Sequence, residues 1–200
     1  GTYSYVLSNT SRVHEKAKIS GHAVELVNSG DLLFLDSGTT ILKLAEALVT
    51  RLESGELTDL VIITNSLLNY EKLAKYGKVI LIGGEVRLSR RDTCGQLAEN
   101  ALRALHMHKS FFGADAVHPD KGLMTTDEWT HRMNDIVGKN SEKVFVLVDS
   151  EKFGKSSLMT YCALDGVDLI ITDDGLSEDE VMSYRAKGAH VEVVPMAGLS

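Results

Sequence analysis

Cysteine and proline are almost absent, with two of each in 200 residues. Cys94 and Cys162 lie far apart and share neither metal-ligand nor redox spacing, so reduced thiols in a cytoplasmic protein are expected and a disulfide-stapled scaffold is excluded. Long apolar runs are missing too, and none approaches the length that crosses a bilayer. The first residues, GTYSYVLSNTSR, lack the basic-then-apolar order of a signal peptide. Positive charge is in deficit: 21 Lys and Arg against 28 Asp and Glu leave a net charge of -7 and a pI of about 5.5. The longest basic cluster, Arg87 to Arg91, is broken by Leu88 and Ser89, which makes the chain a poor candidate for gripping a phosphate backbone. Neither Gly-x-x-x-x-Gly-Lys-Ser/Thr nor Gly-x-Gly-x-x-Gly follows the first strand, so a nucleotide P-loop and a dinucleotide fingerprint are unsupported.

What is present is a core-forming pattern. Hydrophobic residues make up 44% of the chain, enough for one sizeable domain. Short β-rich runs recur at Leu32–Leu35, Leu60–Ile63, Val79–Ile82, Ser110–Phe112, Val144–Val148, Leu169–Ile171 and Val191–Val194. Helix-period stretches separate most of them. AVELVNSG reads as a helix ended by Gly30. TILKLAEALVTRL places Ile41, Leu44, Ala45 and Leu48 on one face, and QLAENALRALHM does so with Leu97, Ala101, Leu102 and Leu105. SEDEVMSYRAKG opens on a capping-box spacing, Ser177 to Glu180, and closes at Gly188. Continuous apolar strands alternating with helices predict an α/β domain, doubly wound around a mostly parallel sheet, over residues 1–200. The least regular part, residues 120–140, reads as an exposed turn and loop, a candidate lid, before a helix.

Open α/β sheets bind ligands where strand carboxyl ends meet helix N-termini. The first strand runs into Asp36-Ser37-Gly38-Thr39-Thr40 and then a helix. Unpaired N–H groups and partial positive charge at a helix N-terminus attract an anion, Gly38 lets the backbone approach it, and the hydroxyls of Ser37, Thr39 and Thr40 add donors without formal charge. The same residues also suit an ordinary helix cap. Asp36 repels phosphate and is better placed against a sugar hydroxyl. Further polar or glycine-rich ends follow the other strands: Thr64-Asn65-Ser66, Gly83-Gly84-Glu85, Gly113-Ala114-Asp115 and Asp149-Ser150-Glu151-Lys152. Together they point to a small, polyhydroxylated, phosphorylated ligand.

FLDSGTT, TNSL, LIGGEVR, FFGAD, GLMTT and VDSEKFGK occur in this order along the chain. In these motifs, from about Arg12 to about Asp174, the sequence resembles the C-terminal effector-binding domain of the DeoR family of bacterial transcription regulators. The resemblance implies a fold related to ribose-5-phosphate isomerase and the CoA-transferase-like proteins. It implies a phosphorylated sugar or related metabolite as effector, and no cofactor is expected. Carried over by position, Ser37, Gly38, Thr39, Thr40 and Lys152 hold the phosphate, and Asp36, Thr64, Asn65, Gly83, Gly84, Glu85 and Asp115 line the sugar pocket. It further implies a homo-oligomeric repressor of sugar catabolism genes, without a membrane partner. Operator DNA is met only through an N-terminal winged helix-turn-helix that this chain lacks, and the leading glycine agrees with an isolated sensor fragment. The segment TTDEWTHRMND departs from the family pattern at Trp129, His131 and Arg132, and DTCGQLAE leaves Cys94 unassigned.

The alternative within the same fold is a sugar-phosphate isomerase, which needs a base and a group that stabilises an enediolate. Asp36, Glu85 or Asp115 with Lys152 supply such groups in principle. The isomerases of this fold resemble one another in a glycine-rich stretch with a lysine and a glutamate, whereas here the corresponding region is AVHPDKGLMTTDEWT, with only Lys121 and Gly122. Sensing is therefore the expected role. The scattered histidines predict no metal, Ser66 and Ser150 have no histidine partner for a hydrolase triad, and the acidic run Asp173 to Glu180 is a solvated helix start.

Overall fold

The computed structural model describes residues 10–196. All seven apolar runs become strands of one parallel sheet: β1 (Leu32–Leu35), β2 (Val61–Thr64), β3 (Lys78–Leu81), β6 (Met107–Phe112), β9 (Ser141–Leu147), β11 (Leu169–Asp173) and β12 (Val191–Val194), in the order β12-β11-β9-β6-β1-β2-β3. Every pairing in it is parallel. The strands are continuously apolar because both faces are covered. Successive side chains of β1 show this directly: Leu33 and Leu35 join one core cluster and Phe34 joins the other.

Helices α1 (Val13–Ala23), α2 (Thr39–Ser54) and α3 (Leu67–Leu73) precede β3, and α4 (Gln96–Arg103), α5 (Glu128–Lys139) and α6 (Glu178–Ala186) follow it. The expected apolar stripe of α2 is buried in full, at Ile41, Leu44, Ala45 and Leu48. The capping box of α6 forms as its spacing predicts: Ser177 accepts from the N–H of Glu180, whose side chain returns to the N–H of Ser177.

Two helix readings need correction. AVELVNSG is not one helix: α1 ends at Ala23, a single 3-10 turn covers Val24–Leu26, and the chain bends before Gly30. In α4 the buried face is Ala98, Glu99 and Leu102, while Leu97 is 75% exposed. Burial of Glu99 is made possible by Arg132, whose Nε reaches its two oxygens at 3.0 and 3.1 Å.

Two small antiparallel units decorate the sheet. One is a hairpin of β4 (Glu85–Arg87) and β5 (Asp92–Cys94); the other has three strands in the order β10-β8-β7, built from β7 (Ala116–His118), β8 (Gly122–Thr125) and β10 (Met159–Cys162). The candidate lid is therefore corrected, because residues 122–125 form a fully buried strand. Gly122 opens it at φ +88°, and a Cβ there would lie 2.4 Å from the Cys162 carbonyl oxygen, so the position requires glycine.

Candidate functional site

Strand order reverses between β1 and β6, which places their carboxyl ends at a topological switch point, the usual ligand crevice of such sheets. A cleft of about 360 Å³ opens there. Its walls come from the ends of three adjacent strands: Asp36 to Ile41 after β1, Gly113 to Asp115 after β6, and Leu147 to Lys152 at β9. Ser11 and Lys16 from the N-terminal side, Arg90 from the β4–β5 turn, and Thr125 and Thr130 complete it.

The loop after β1 is built for close approach. Gly38 is the N-cap of α2 at φ +119° and has no side chain with which to cap the helix. The first-turn N–H groups of α2 therefore face a cleft edge that carries the hydroxyls of Thr39 and Thr40. Ser37 behaves differently from its neighbours. Its N–H donates to Asp36 Oδ1 at 2.8 Å and its hydroxyl donates to Asp92 Oδ2 at 2.7 Å.

The cations are arranged around this loop. Lys16 is only 6% exposed, and its Nζ donates to Thr39 Oγ1 at 2.8 Å. Burial lowers its pKa; Lys152, Lys43 and Arg12 push it the same way, against the pull of Asp149. Several positive charges thus converge on one helix N-terminus. Lys152 enters from a 3-10 turn, Ser150–Lys152, and its Nζ lies 3.8 Å from Asp149. Arg12 braces that turn from the start of α1, reaching Ser150 Oγ at 3.2 Å and Asp173 at 3.5 Å. A second tie, Ser20 Oγ to the Thr40 carbonyl at 2.9 Å, fixes α1 against α2.

On the opposite side, the buried carboxylate of Asp92 accepts from Arg87 Nε at 2.9 Å and Nη2 at 3.0 Å. Arg87 Nη1 in turn grips both oxygens of Asp127, the N-cap of α5, at 2.8 and 2.7 Å. Burial pushes Asp127 up, but its bonds to Thr130 and Arg87 outweigh this and hold its carboxyl below the usual range. Arg90, from the same hairpin, sits 3.7 Å from Asp92 and lines the cleft.

Of the residues singled out in the sequence, Asp36, Ser37, Gly38, Thr39, Thr40, Asp115 and Lys152 converge on the cleft. Asp115 Oδ2 is held by Thr125 Oγ1 at 3.0 Å and the Thr126 N–H at 2.9 Å. The structure does not bring Thr64, Asn65, Gly83, Gly84 or Glu85 there. Thr64 and Asn65 are buried under the hairpin, Thr64 donating to the Leu35 carbonyl at 2.7 Å and Asn65 to the Thr93 carbonyl at 2.9 Å. Gly83, Gly84 and Glu85 follow the edge strand β3, two strands from the switch point, and lead into the hairpin; a Cβ on Gly84 would lie 2.5 Å from the Cys94 carbonyl oxygen.

Sequence reasoning missed Lys16, Arg90 and Ser11. Lys16 had a legible signal, since it shares one helical face with Ile19, Ser20 and Ala23, all buried, and a lysine on a buried stripe needs a partner. The three atypical residues do not line the cleft, although Thr125 and Thr130 of the same segment do: Arg132 stacks 5.8 Å from the Trp129 ring centre, and His131 Nε2 meets the Thr160 carbonyl at 3.1 Å. No group of three or more potential metal ligands occurs among the described residues, and no described helix is long and apolar enough to cross a membrane.

Residues 11–174 match the family described as DeoR C terminal sensor domain. The lactose phosphotransferase system repressor of Staphylococcus aureus (strain N315) is 32% identical over 195 residues, covering 96% of this chain and 73% of the repressor. The HTH-type transcriptional regulator IolR of Bacillus subtilis (strain 168) is 30% identical over 172 residues, covering 85% of this chain and 66% of the regulator. The chain spans 65% of a further relative, from Escherichia coli O157:H7. Among solved structures, ribose 5-phosphate isomerase from Plasmodium falciparum aligns with a TM-score of 0.52 at 18% identity, over 69% of this chain and 52% of that one. Ribose 5-phosphate isomerase A from Methanocaldococcus jannaschii gives 0.52 at 24% identity, over 69% and 53%. These two likenesses establish the fold alone.

Proposed function

The chain belongs to the DeoR family, as its C-terminal sensor domain, and from that premise we propose that the cleft binds a phosphorylated sugar as effector of a transcription repressor. The observation that carries this reading is the placement of Lys16: a buried ammonium bonded to Thr39, joined by Lys152 at the N-terminus of α2. Converging cations beside N–H groups and hydroxyls suit a dianionic phosphate. The carboxyl groups that line the cleft, Asp36 and Asp115, suit sugar hydroxyls, and a cleft of about 360 Å³ suits a monosaccharide phosphate.

The phosphate is assigned to Gly38, Thr39, Thr40, Lys16 and Lys152, and the sugar to Asp36 and Asp115 with Arg90 nearby. Ser37 contributes by holding the loop to the hairpin through Asp92. Operator DNA is met by a part of the protein outside the matched region, in a homo-oligomer whose arrangement the effector biases through its differential affinity for two states. The domain senses and does not transform its ligand. Lys121, the lysine that follows the Gly113–Asp115 strand end in sequence, sits in the exposed turn between β7 and β8 and does not line the cleft.

Thermal-shift measurements against a panel of sugar phosphates and their unphosphorylated partners test the assignment. A true effector at about 100 times its Kd adds about 2.7 kcal/mol and raises Tm by several degrees. Turnover of a pentose or hexose phosphate, abolished by Lys152→Ala, would instead establish an enzyme.

A further inference from the structure

Asp36 is a buried acid with too few donors. It is 4% exposed at the floor of the cleft, immediately before the anion loop. Its Oδ1 accepts the Ser37 N–H at 2.8 Å, but Oδ2 has only long contacts, to the Gly113 N–H at 3.3 Å and to Asn134 Nδ2 at 3.5 Å. Beside it, Asn134 Oδ1 is buried with no hydrogen-bond partner. A carboxylate at such depth stays ionised only when several good donors compensate lost hydration. Here two acceptors, a carboxylate oxygen and an orphaned amide oxygen, lie together with a shortage of hydrogens.

The groups around Asp36 do not supply the deficit. From the hairpin, Arg90 favours the ionised form. From β10, the Tyr161 hydroxyl is turned to the Gly113 carbonyl. From α3, Asn69 Nδ2 bonds the backbone oxygen of Asp36 at 2.9 Å and not its carboxyl. From the β6 end, Asp115 adds a like charge, and Lys16, Asp149 and Lys152 belong to the α1 and β9 walls of the cleft. Burial outweighs the bonds from Gly113, Ser37 and Asn134 and pushes the carboxyl up to about 7.

We propose that the cleft takes up a proton together with its anion, so that Asp36 stands in the occupied site as a neutral carboxylic acid. This rests on the anion-binding reading above. A dianion on the first turn of α2 disfavours a second negative charge at Asp36. The proton, taken from solvent, sits on Oδ2 and is donated to Asn134 Oδ1 once that amide turns, which gives the orphaned oxygen its partner. Asp36 thereby becomes the residue that makes recognition pH-dependent.

Calorimetric titration of the chain with inorganic sulfate, which keeps both charges from pH 6 to 9, isolates the effect from titration of the ligand. Affinity is expected to fall at least about fivefold between pH 6.5 and pH 8.5, with about 0.5 to 0.75 proton taken up at pH 7.5, read from the dependence of the heat on buffer ionisation enthalpy. Asp36→Asn, which mimics the neutral acid, is expected to bind sulfate with flat affinity over this range and no proton uptake. The buffer dependence is read on the unmodified chain, so the test stands even where that variant folds poorly. Binding without proton uptake overturns the inference and leaves the anion site intact. Uptake that persists in Asp36→Asn and vanishes in Lys16→Met also overturns it, by assigning the proton to Lys16. No sulfate binding at any pH overturns the anion site itself, and the inference with it.

Discussion

The hydroxyl of Ser37 donates to the buried carboxylate of Asp92 at 2.7 Å, across 55 residues of sequence. One member of the run of hydroxyls beside the cleft is thus turned toward the hairpin. Asp92 is fully buried and is shared with Arg87. Asp92→Ala leaves Arg87 with only Asp127 and is expected to cost about 3 kcal/mol, measured by urea unfolding. Ser37→Ala removes one bond to a charged group, costs about 1.5 kcal/mol, and changes anion affinity little. The double change Thr39→Ala, Thr40→Ala is expected to weaken phosphate binding about tenfold or more.

Lys16 is held at a cost to the empty protein. Its pKa in the folded state lies below the unfolded value of 10.5, chiefly through burial. The folded chain therefore binds fewer protons than the unfolded one between the two values, and stability rises with pH through that window. At pH 7 the charged lysine opposes folding. Lys16→Met is expected to raise the melting temperature of the unliganded chain while lowering phosphate affinity about tenfold or more. A fall in both would show that Lys16 is structural.

Asp36 has the opposite linkage. With a folded pKa of about 7 against an ordinary 3.8, the folded chain holds the extra proton between those values. Its contribution to stability is complete below about pH 4 and is lost as pH rises through 7. Asp36→Asn should lack this decline and, at pH 8, melt higher than the unmodified chain. Melting curves of both between pH 5 and pH 8 check the sign.

Arg12 tests the link between the entering chain and the cleft. It takes a left-handed conformation at φ 54° to start α1 and braces Ser150 and Asp173 behind the turn that carries Lys152. Arg12→Ala is expected to weaken phosphate binding several-fold without touching the ligand, to remove the cation 3.5 Å from Asp173, and to leave Asp149 with Lys152. Unchanged affinity would show that Lys152 is positioned by its own turn.

The parallel sheet was legible because a strand buried on both faces writes itself as an uninterrupted apolar run, as Leu32–Leu35 and Val191–Val194 do. The cleft loop from Asp36 to Thr40 was legible because strand, glycine, hydroxyls and helix are contiguous. The hairpin was not, since its three-residue strands, Glu85–Arg87 and Asp92–Cys94, are mostly polar and form no apolar run, and the short strands of the three-stranded unit carry no periodicity to read. Thr64, Asn65 and Gly83 to Glu85 are placed in the sugar pocket by the family resemblance, which agrees with strand ends that share one rim. The rim is longer than the cleft: β3 ends beyond it, and Thr64 and Asn65 at the end of β2 are buried under the hairpin. Arg90 was invisible for the converse reason: it reaches the cleft from a turn that only the tertiary fold carries there. Leu97 was misplaced because α4, at eight residues, is too short to determine its buried face.

The central claim is that the loop from Asp36 to Thr40, with Lys16 and Lys152, recognises the phosphate of a phosphorylated sugar. Calorimetric affinities for matched pairs of sugar phosphates and free sugars test it most directly. At least one phosphorylated member is expected to bind more than about 100-fold tighter than its free sugar, a difference of about 2.7 kcal/mol, and Lys16→Met with Lys152→Ala is expected to erase most of that gap. Equal binding of phosphorylated and free sugars, or a gap untouched by the double change, would contradict it.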